Sequence, residues 1–380
     1  MNDRELHARL IGQQGSRTAL NTPALIVDLA ALTRNIAAMA ATMRAAGVAL
    51  RPHAKTHKSV EIARLQMAAG ATGICCAKIG EAEVLAAGGI DNLLITSPVA
   101  SPMAIDRLAA LAEAAPTTIA TLDDPLVAAR TDAALAASGA VLDVLIDIDP
   151  GSHRTGVASA GDAVALARTI ASLSNLRLRG VQFYCGPQQH IPSFTDRRAA
   201  VADLTAYLRS VIAALAEAGF APGIVSGSGT GTHLIDLELG VMTECQPGSY
   251  VFMDRQYSDS DLTGDGAGCP FETALMVDTR VVSANHADLV TIDAGFKALS
   301  TDGGEASVLG ARRDARFVFM GDEHAALHER GIGVSLRPGE AVTLTVPHCD
   351  PTVNLYDSYH VISGDTLVDI WDIGARGRSR

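Results

Sequence analysis

The segment RPHAKTHKS, residues 51–59, sets a single amine among imidazoles: Lys55 follows an apolar run and is flanked by His53, Thr56 and His57. An enclosed, partly cationic setting lowers a lysine's pKa and makes the amine a nucleophile toward an aldehyde. A solvated lysine at a strand end is the plainer alternative. Three further segments carry complementary chemistry. DIDPGSHRTGV (147–157) supplies Arg154, a fixed cation able to balance a phenolate or a phosphate. QFYCGPQQH (182–190) supplies Gln182, Tyr184, Gln189 and His190, an aromatic ring to cover a planar ligand and an imidazole that moves protons near neutral pH. SGSGTGT (226–232) lets backbone N–H groups around Gly229 crowd an anion, with hydroxyl donors on Ser228, Thr230 and Thr232. A helix candidate, THLIDLE, starts just behind it and turns its positive end to the same place. Taken singly, each segment also reads as an ordinary loop or core element.

These residues need a scaffold that brings loops from distant segments to one mouth. Short β-rich runs alternate with Ala/Leu-rich amphipathic runs over the first 250 residues. The strand candidates are 24–28, 48–53, 72–77, 92–96, 117–121, 142–147, 178–184 and 223–227. Helical runs such as 29–46, 61–69, 103–115 and 194–219 lie between them, punctuated by Gly and Pro. Eight βα units in about 230 residues predict a closed (β/α)8 barrel, whose chemistry sits in the loops at the C-terminal ends of its strands. An open doubly wound sheet usually shows a GxGxxG turn after its first strand, and none follows ALIVD. After about residue 260 the long helices vanish and β-branched alternating segments predict an antiparallel β domain. The expected organisation is an N-terminal segment over 1–22 packing with the β domain, a barrel over 23–260, and the β domain over 261–380.

Composition narrows the partners. A net charge of −12 and the lack of a basic run argue against nucleic acid. No apolar stretch near the roughly 20 residues that span a bilayer is expected, nor a signal-peptide core in the first residues. Six scattered cysteines without a CxxC pair fit free thiols in the cytoplasm. An amine, an arginine, an aromatic ring and an anion cradle around one mouth form the set that pyridoxal phosphate needs.

Together with PGSYVFMDRQY (247–257) and PHCDPTVN (347–354), the motifs above resemble the D-threonine aldolase group of alanine-racemase-like, fold-type III pyridoxal-phosphate enzymes. That group includes 3-hydroxy-D-aspartate aldolases and eukaryotic-type D-serine dehydratases, and the resemblance runs from about Thr22 to about Ile370. It implies a homodimer with the active site near the interface and Lys55 as the Schiff-base lysine. It implies cofactor contacts from Thr230, Gly248, Ser249, Tyr250 and Tyr257, with Arg154 and Tyr184 close by. It also implies a divalent metal on His348 and Asp350. Relatives often carry a polar side chain, commonly Gln, where this chain has Ala77, and a polar one at Pro187.

In VTLTVPHCDPT, a strand running into a turn would put His348 and Asp350 on one face and Cys349 on the other. An imidazole with a carboxylate suits Mn²⁺ or Mg²⁺; a thiolate turned inward would shift the balance to Zn²⁺. The His-x-Asp pattern resembles the aldolases and His-x-Cys the dehydratases. The expectation is therefore retro-aldol cleavage of D-β-hydroxy-α-amino acids to glycine and an aldehyde, with His190 as the base at the hydroxyl. The preference for the D series comes from the resemblance alone. Dehydration on the same scaffold, a non-catalytic carrier of the cofactor, and a cofactor-free metal-dependent barrel hydrolase are the alternatives.

Overall fold

The protein is described from a computed structural model covering residues 2–266, 268–310, 314–328 and 336–380. Among these residues the strands form two sheets, of eight and nine strands. The eight-stranded sheet is a parallel barrel. Its strands are β1 (Ala49–Leu50), β2 (Ile74–Cys76), β3 (Leu93–Ile95), β4 (Ile119–Leu122), β5 (Leu142–Asp147), β6 (Leu176–Phe183), β7 (Ile224–Gly227) and β8 (Glu244–Cys245). Strand β1 pairs with β8 through Ala49↔Glu244 and Leu50↔Cys245, and a parallel bridge His53↔Cys75 joins it to β2, so the barrel closes.

The outer helices form where the alternation places them. Asp28 caps Leu29–Ala46 by accepting from the N–H groups of Ala30 and Ala31, and Gly47 ends that helix at φ +68°. Phe194–Glu217 is 24 residues long and apolar enough, by length and composition, to cross a membrane, which corrects the expectation of no such stretch. The helix connects β6 and β7 in the barrel's outer ring. Its buried residues Arg197, Val201, Thr205, Leu208, Val211 and Leu215 follow the three- and four-residue spacing of one packed face.

One strand lies elsewhere than expected. ALIVD, Ala24–Asp28, is not a barrel strand. It pairs antiparallel with Leu275–Ser283 and parallel with Ser358–Ser363, inside the nine-stranded sheet. An unbroken apolar run is buried on both faces in either sheet, so its pattern does not distinguish them. The missing barrel strand is β8, two residues long and invisible as a periodic run. The loops after β7 and β8 thus contain SGTGT (228–232) and PGSY (247–250), and Lys55 follows the first barrel strand.

In the second sheet, Leu275–Ser283, Leu289–Ile292, Ala325–His328, Arg316–Phe319, Ser307–Val308 and Ala341–Thr345 pair in a closed ring. Ala24–Asp28, Ser358–Ser363 and Thr366–Asp372 extend it. The N-terminal residues pack here. Arg17 makes paired bonds to Asp278 at 2.7 and 2.8 Å, and Leu20 joins Ile362, Leu367 and Ile370 in a small core. Contributions from both ends of the chain therefore build the β domain.

Candidate active site

Lys55 sits on a 3₁₀ turn, Ala54–Thr56, that begins as β1 ends. The N–H of Lys55 donates to Nδ1 of His53 at 3.3 Å, leaving the Nε2 hydrogen of His53 for Thr96 Oγ1 at 3.1 Å. Burial keeps the His53 imidazole well below its usual pKa, with the nearby Lys55 charge adding to the effect, so the ring is neutral. Lys55 Nζ lies 3.2 Å from Asp350 Oδ2. That carboxylate raises the lysine's pKa against the opposing effect of burial, with Tyr184 adding to it. The expected lowering by a cationic setting is thus reversed: the flanking imidazoles are buried and neutral, and an unforeseen anion faces the amine.

A cavity opens beside Lys55, lined by His53, Ala77, Thr96, Ser97, Arg154, Gln182, Tyr184 and Gln246. The Arg154 guanidinium stands 5.6 Å from the centre of the Tyr184 ring. Gln182 donates from Nε2 to Thr96 O at 2.8 Å and to Asp147 Oδ1 at 2.9 Å. Gln246 donates to Ser226 Oγ at 2.8 Å, Ser226 to Glu244 at 2.5 Å, and Glu244 pairs with Arg51 at 2.9 Å. A chain of buried polar groups therefore crosses the barrel interior and fixes the cavity floor. Asp147 and Gln246 went unnoticed in the sequence, Gln246 because it follows a two-residue strand.

The anion cradle is built from two loops. Ser228 takes φ +70°, an uncommon value for a residue with a side chain. Thr230 Oγ1 accepts from the N–H of Tyr250 at 3.0 Å and ties the loops together. Among the described residues, no backbone acceptor takes the buried N–H groups of Thr230, Gly248 and Ser249. A Cβ on Gly248 would stand 2.6 Å from Thr56 Oγ1, so only glycine lets the chain approach there. Buried donors left over around a glycine-lined loop fit a phosphate, and the adjoining cavity with Lys55, Arg154 and Tyr184 fits the pyridoxal ring. Tyr250 itself points elsewhere. Its ring packs 5.7 Å from Phe271 and its hydroxyl accepts from Gln66 Nε2 at 3.1 Å, so its side chain serves the core and not the cavity.

At the rim, the solvent-exposed His190 rests 4.6 Å from the buried Tyr257 ring. Partial burial lowers the His190 pKa, and His348, Lys55 and Asp350 all act on it electrostatically. His348 and Asp350 do come together, though not as neighbours on a strand face. The strand ends at Thr345, His348 caps the short helix Cys349–Val353, and Asp350 stands in that helix's first turn. Cys349 is not turned away either: its Sγ lies 3.5 Å from Asp350 Oδ1. Burial pushes this thiol well up, with Asp254 and Asp350 adding to it. Burial also pushes the Asp350 carboxyl up, but Lys55 and His348 outweigh it and hold it well below the usual range. An imidazole and an ionised carboxylate at one mouth suit a hard divalent cation.

Asp3, His7 and His360 form another cluster, but its ring nitrogens are committed. Asn21 N–H donates to His7 Nε2 at 3.0 Å, so His7 Nδ1 bears the hydrogen that meets His360 Nε2 at 2.9 Å, and His360 Nδ1 faces Leu25 O. No ring lone pair remains for a cation, and the pair fastens the N-terminal segment instead.

A parallel barrel with an anion cradle after its last two strands, a lysine after its first and a β domain closing the mouth defines the alanine-racemase class. Residues 27–256 match the family model described as alanine racemase, N-terminal domain, and residues 274–362 the one described as putative serine dehydratase domain. The chain is 38% identical over 363 residues to a 3-hydroxy-D-aspartate aldolase of Paracoccus denitrificans (strain Pd 1222), covering 94% of this chain and 93% of that one. It is 35% identical over 361 residues to a D-threonine aldolase of Arthrobacter sp, covering 95% and 94%. The crystal structure of D-threonine aldolase from Filomicrobium marinum superposes with a TM-score of 0.89 at 36% identity, covering 96% and 97%. The chain belongs to the D-threonine aldolase-like lyases of the alanine-racemase family, a family that implies pyridoxal phosphate.

Proposed function

We propose that the protein is a pyridoxal-phosphate- and divalent-cation-dependent aldolase that cleaves D-β-hydroxy-α-amino acids to glycine and an aldehyde. The observation that carries this reading is the meeting of Lys55, Asp350, His348 and His190 at one mouth, each acting electrostatically on its neighbours. Lys55 would hold the cofactor covalently, the N–H groups of Thr230, Gly248 and Ser249 its phosphate, and Arg154 and Tyr184 its ring. Bound there, the cofactor supplies an electron sink for the electrons of the broken Cα–Cβ bond. A cation on His348 and Asp350 supplies Lewis acidity toward the β-hydroxyl. His190, neutral because burial and nearby cations lower its pKa, takes the hydroxyl proton. Mn²⁺ or Mg²⁺ suits the donor pair better than Zn²⁺. The homodimer and the cytoplasmic location belong to the same proposal; the six unpaired cysteines, five of them buried, accord with a reducing compartment.

A second reading, dehydration, draws on the Cys349 thiol beside Asp350 and on the match to a serine dehydratase domain. A panel of D-threonine, D-phenylserine and 3-hydroxy-D-aspartate, run with Mn²⁺, with Zn²⁺ and with chelator, separates the two. Glycine and an aldehyde are the expected products. Release of a 2-oxo acid and ammonia would establish the dehydratase in its place.

A further inference from the structure

The loop over residues 300–304 is fastened to the turn that carries His348. Ser300 Oγ accepts the N–H of His348 at 3.1 Å and donates to its carbonyl at 3.1 Å. Thr352 Oγ1 donates to that same carbonyl at 2.7 Å and accepts the N–H of Ser300 at 3.1 Å. Gly303 permits the approach: a Cβ there would stand 2.7 Å from the Pro347 carbonyl and 3.0 Å from His348 Cβ. From this fastened loop, Asp302 reaches the His348 ring, with Oδ2 2.7 Å from Nδ1. An ionised carboxylate only accepts, so Nδ1 bears the hydrogen and the ring's lone pair is on Nε2.

We propose that Asp302 is a positioning residue for the divalent cation, fixing the tautomer and the angle of His348 so that Nε2 is the ligating atom. The proposal rests on the reading that His348 and Asp350 hold that cation. A carboxylate on the far nitrogen of a ligating histidine orients the ring and strengthens it as a donor. The Asp302 side chain is 54% exposed, so its effect lies in this geometry and not in a buried charge. The sequence gives no hint of it, because 46 residues separate the partners.

Calorimetric titration of Mn²⁺ into the chelator-treated, cofactor-loaded protein tests the idea, using Asp302→Ala, Asp302→Asn and His348→Ala beside the unaltered chain. Asp302→Ala should weaken Mn²⁺ binding by about 10–100-fold, the usual effect of losing such a partner. Asp302→Asn, which keeps a carbonyl acceptor for the Nδ1 hydrogen, should recover part of the loss. The cofactor absorption band and the thermal midpoint should stay in place. Unaltered Mn²⁺ affinity in Asp302→Ala, with binding lost in His348→Ala, overturns the positioning role alone. Unaltered affinity in His348→Ala overturns the underlying metal reading as well. A loss in Asp302→Ala that Asn does not relieve, with a lowered melting point, marks mere loop support and also overturns the proposal.

Discussion

Lys55 Nζ and Asp350 Oδ2 stand 3.2 Å apart, joining the first barrel loop to the turn of the β domain that carries His348. The pair links the two proposed cofactors, because one carboxylate faces both the anchoring amine and the cation position. Removing either partner should therefore separate the two functions.

Lys55→Ala should abolish turnover and the cofactor absorption band while leaving the barrel folded. The side chain is partly exposed and its turn is held by the His53 ring, not by its own amine. Circular dichroism alongside an activity assay checks this, and full activity would exclude covalent attachment at position 55. Reduction with borohydride and peptide mapping of the unaltered protein should place the cofactor on the same residue.

Asp350→Ala should remove the response of activity to Mn²⁺ and leave the absorption band intact. Titrating metal into chelator-treated enzyme, with the band recorded in parallel, measures both. Full activity in the presence of chelator would refute the metal assignment.

Gly248→Ala pushes a methyl to 2.6 Å from Thr56 Oγ1 within the anion cradle. Cofactor affinity should fall by about tenfold, or ~1.4 kcal/mol, as judged by equilibrium dialysis. Gly231→Ala is harsher, since its Cβ would lie 2.0 Å from the Gln189 carbonyl oxygen. It should cost stability on the order of 1–3 kcal/mol and lower the thermal midpoint with or without cofactor.

Burial pushes the Asp147 carboxyl up to about 6 from 3.8, against the hydrogen bonds from Gln182 and Thr155. A carboxyl with a raised folded pKa favours folding while protonated. That contribution is complete below pH 3.8 and is lost as pH rises through 6. Asp147→Asn should flatten this part of the stability profile and stabilise the protein at pH 7 by roughly 1–3 kcal/mol. Thermal midpoints of the cofactor-free chain between pH 4 and 7.5 would read it out. An unchanged slope would show that Asp147 is not the group responsible.

The barrel's beat was legible because each unit pairs a short apolar run with an amphipathic helix; Leu29–Ala46 and Leu142–Asp147 fall where the pattern puts them. Ala24–Asp28 was misplaced because burial on both faces reads alike in either sheet, and Glu244–Cys245 was too short to show a period. Lys55, Arg154, Tyr184 and His190 were singled out through residue type in loops. The Lys55–Asp350 pair, the cavity floor and Asp302 depend on contacts between segments far apart in sequence, which periodicity cannot reveal. His348 and Asp350 were read from the family resemblance, and the local geometry that joins them is a helix start and not a strand face.

Ile26 lies opposite His360 in a parallel pair, so the β domain encloses the barrel as an insertion between its first strand and the rest. During synthesis, that first strand leaves the ribosome long before its partners exist. The barrel can close around its own neighbours while the early strand waits, apolar and unpaired. Leu275–Ser283 covers one edge of it and Ser358–Ser363 the other, so a truncation before Ser358 would leave a sticky edge at the opposite end of the chain.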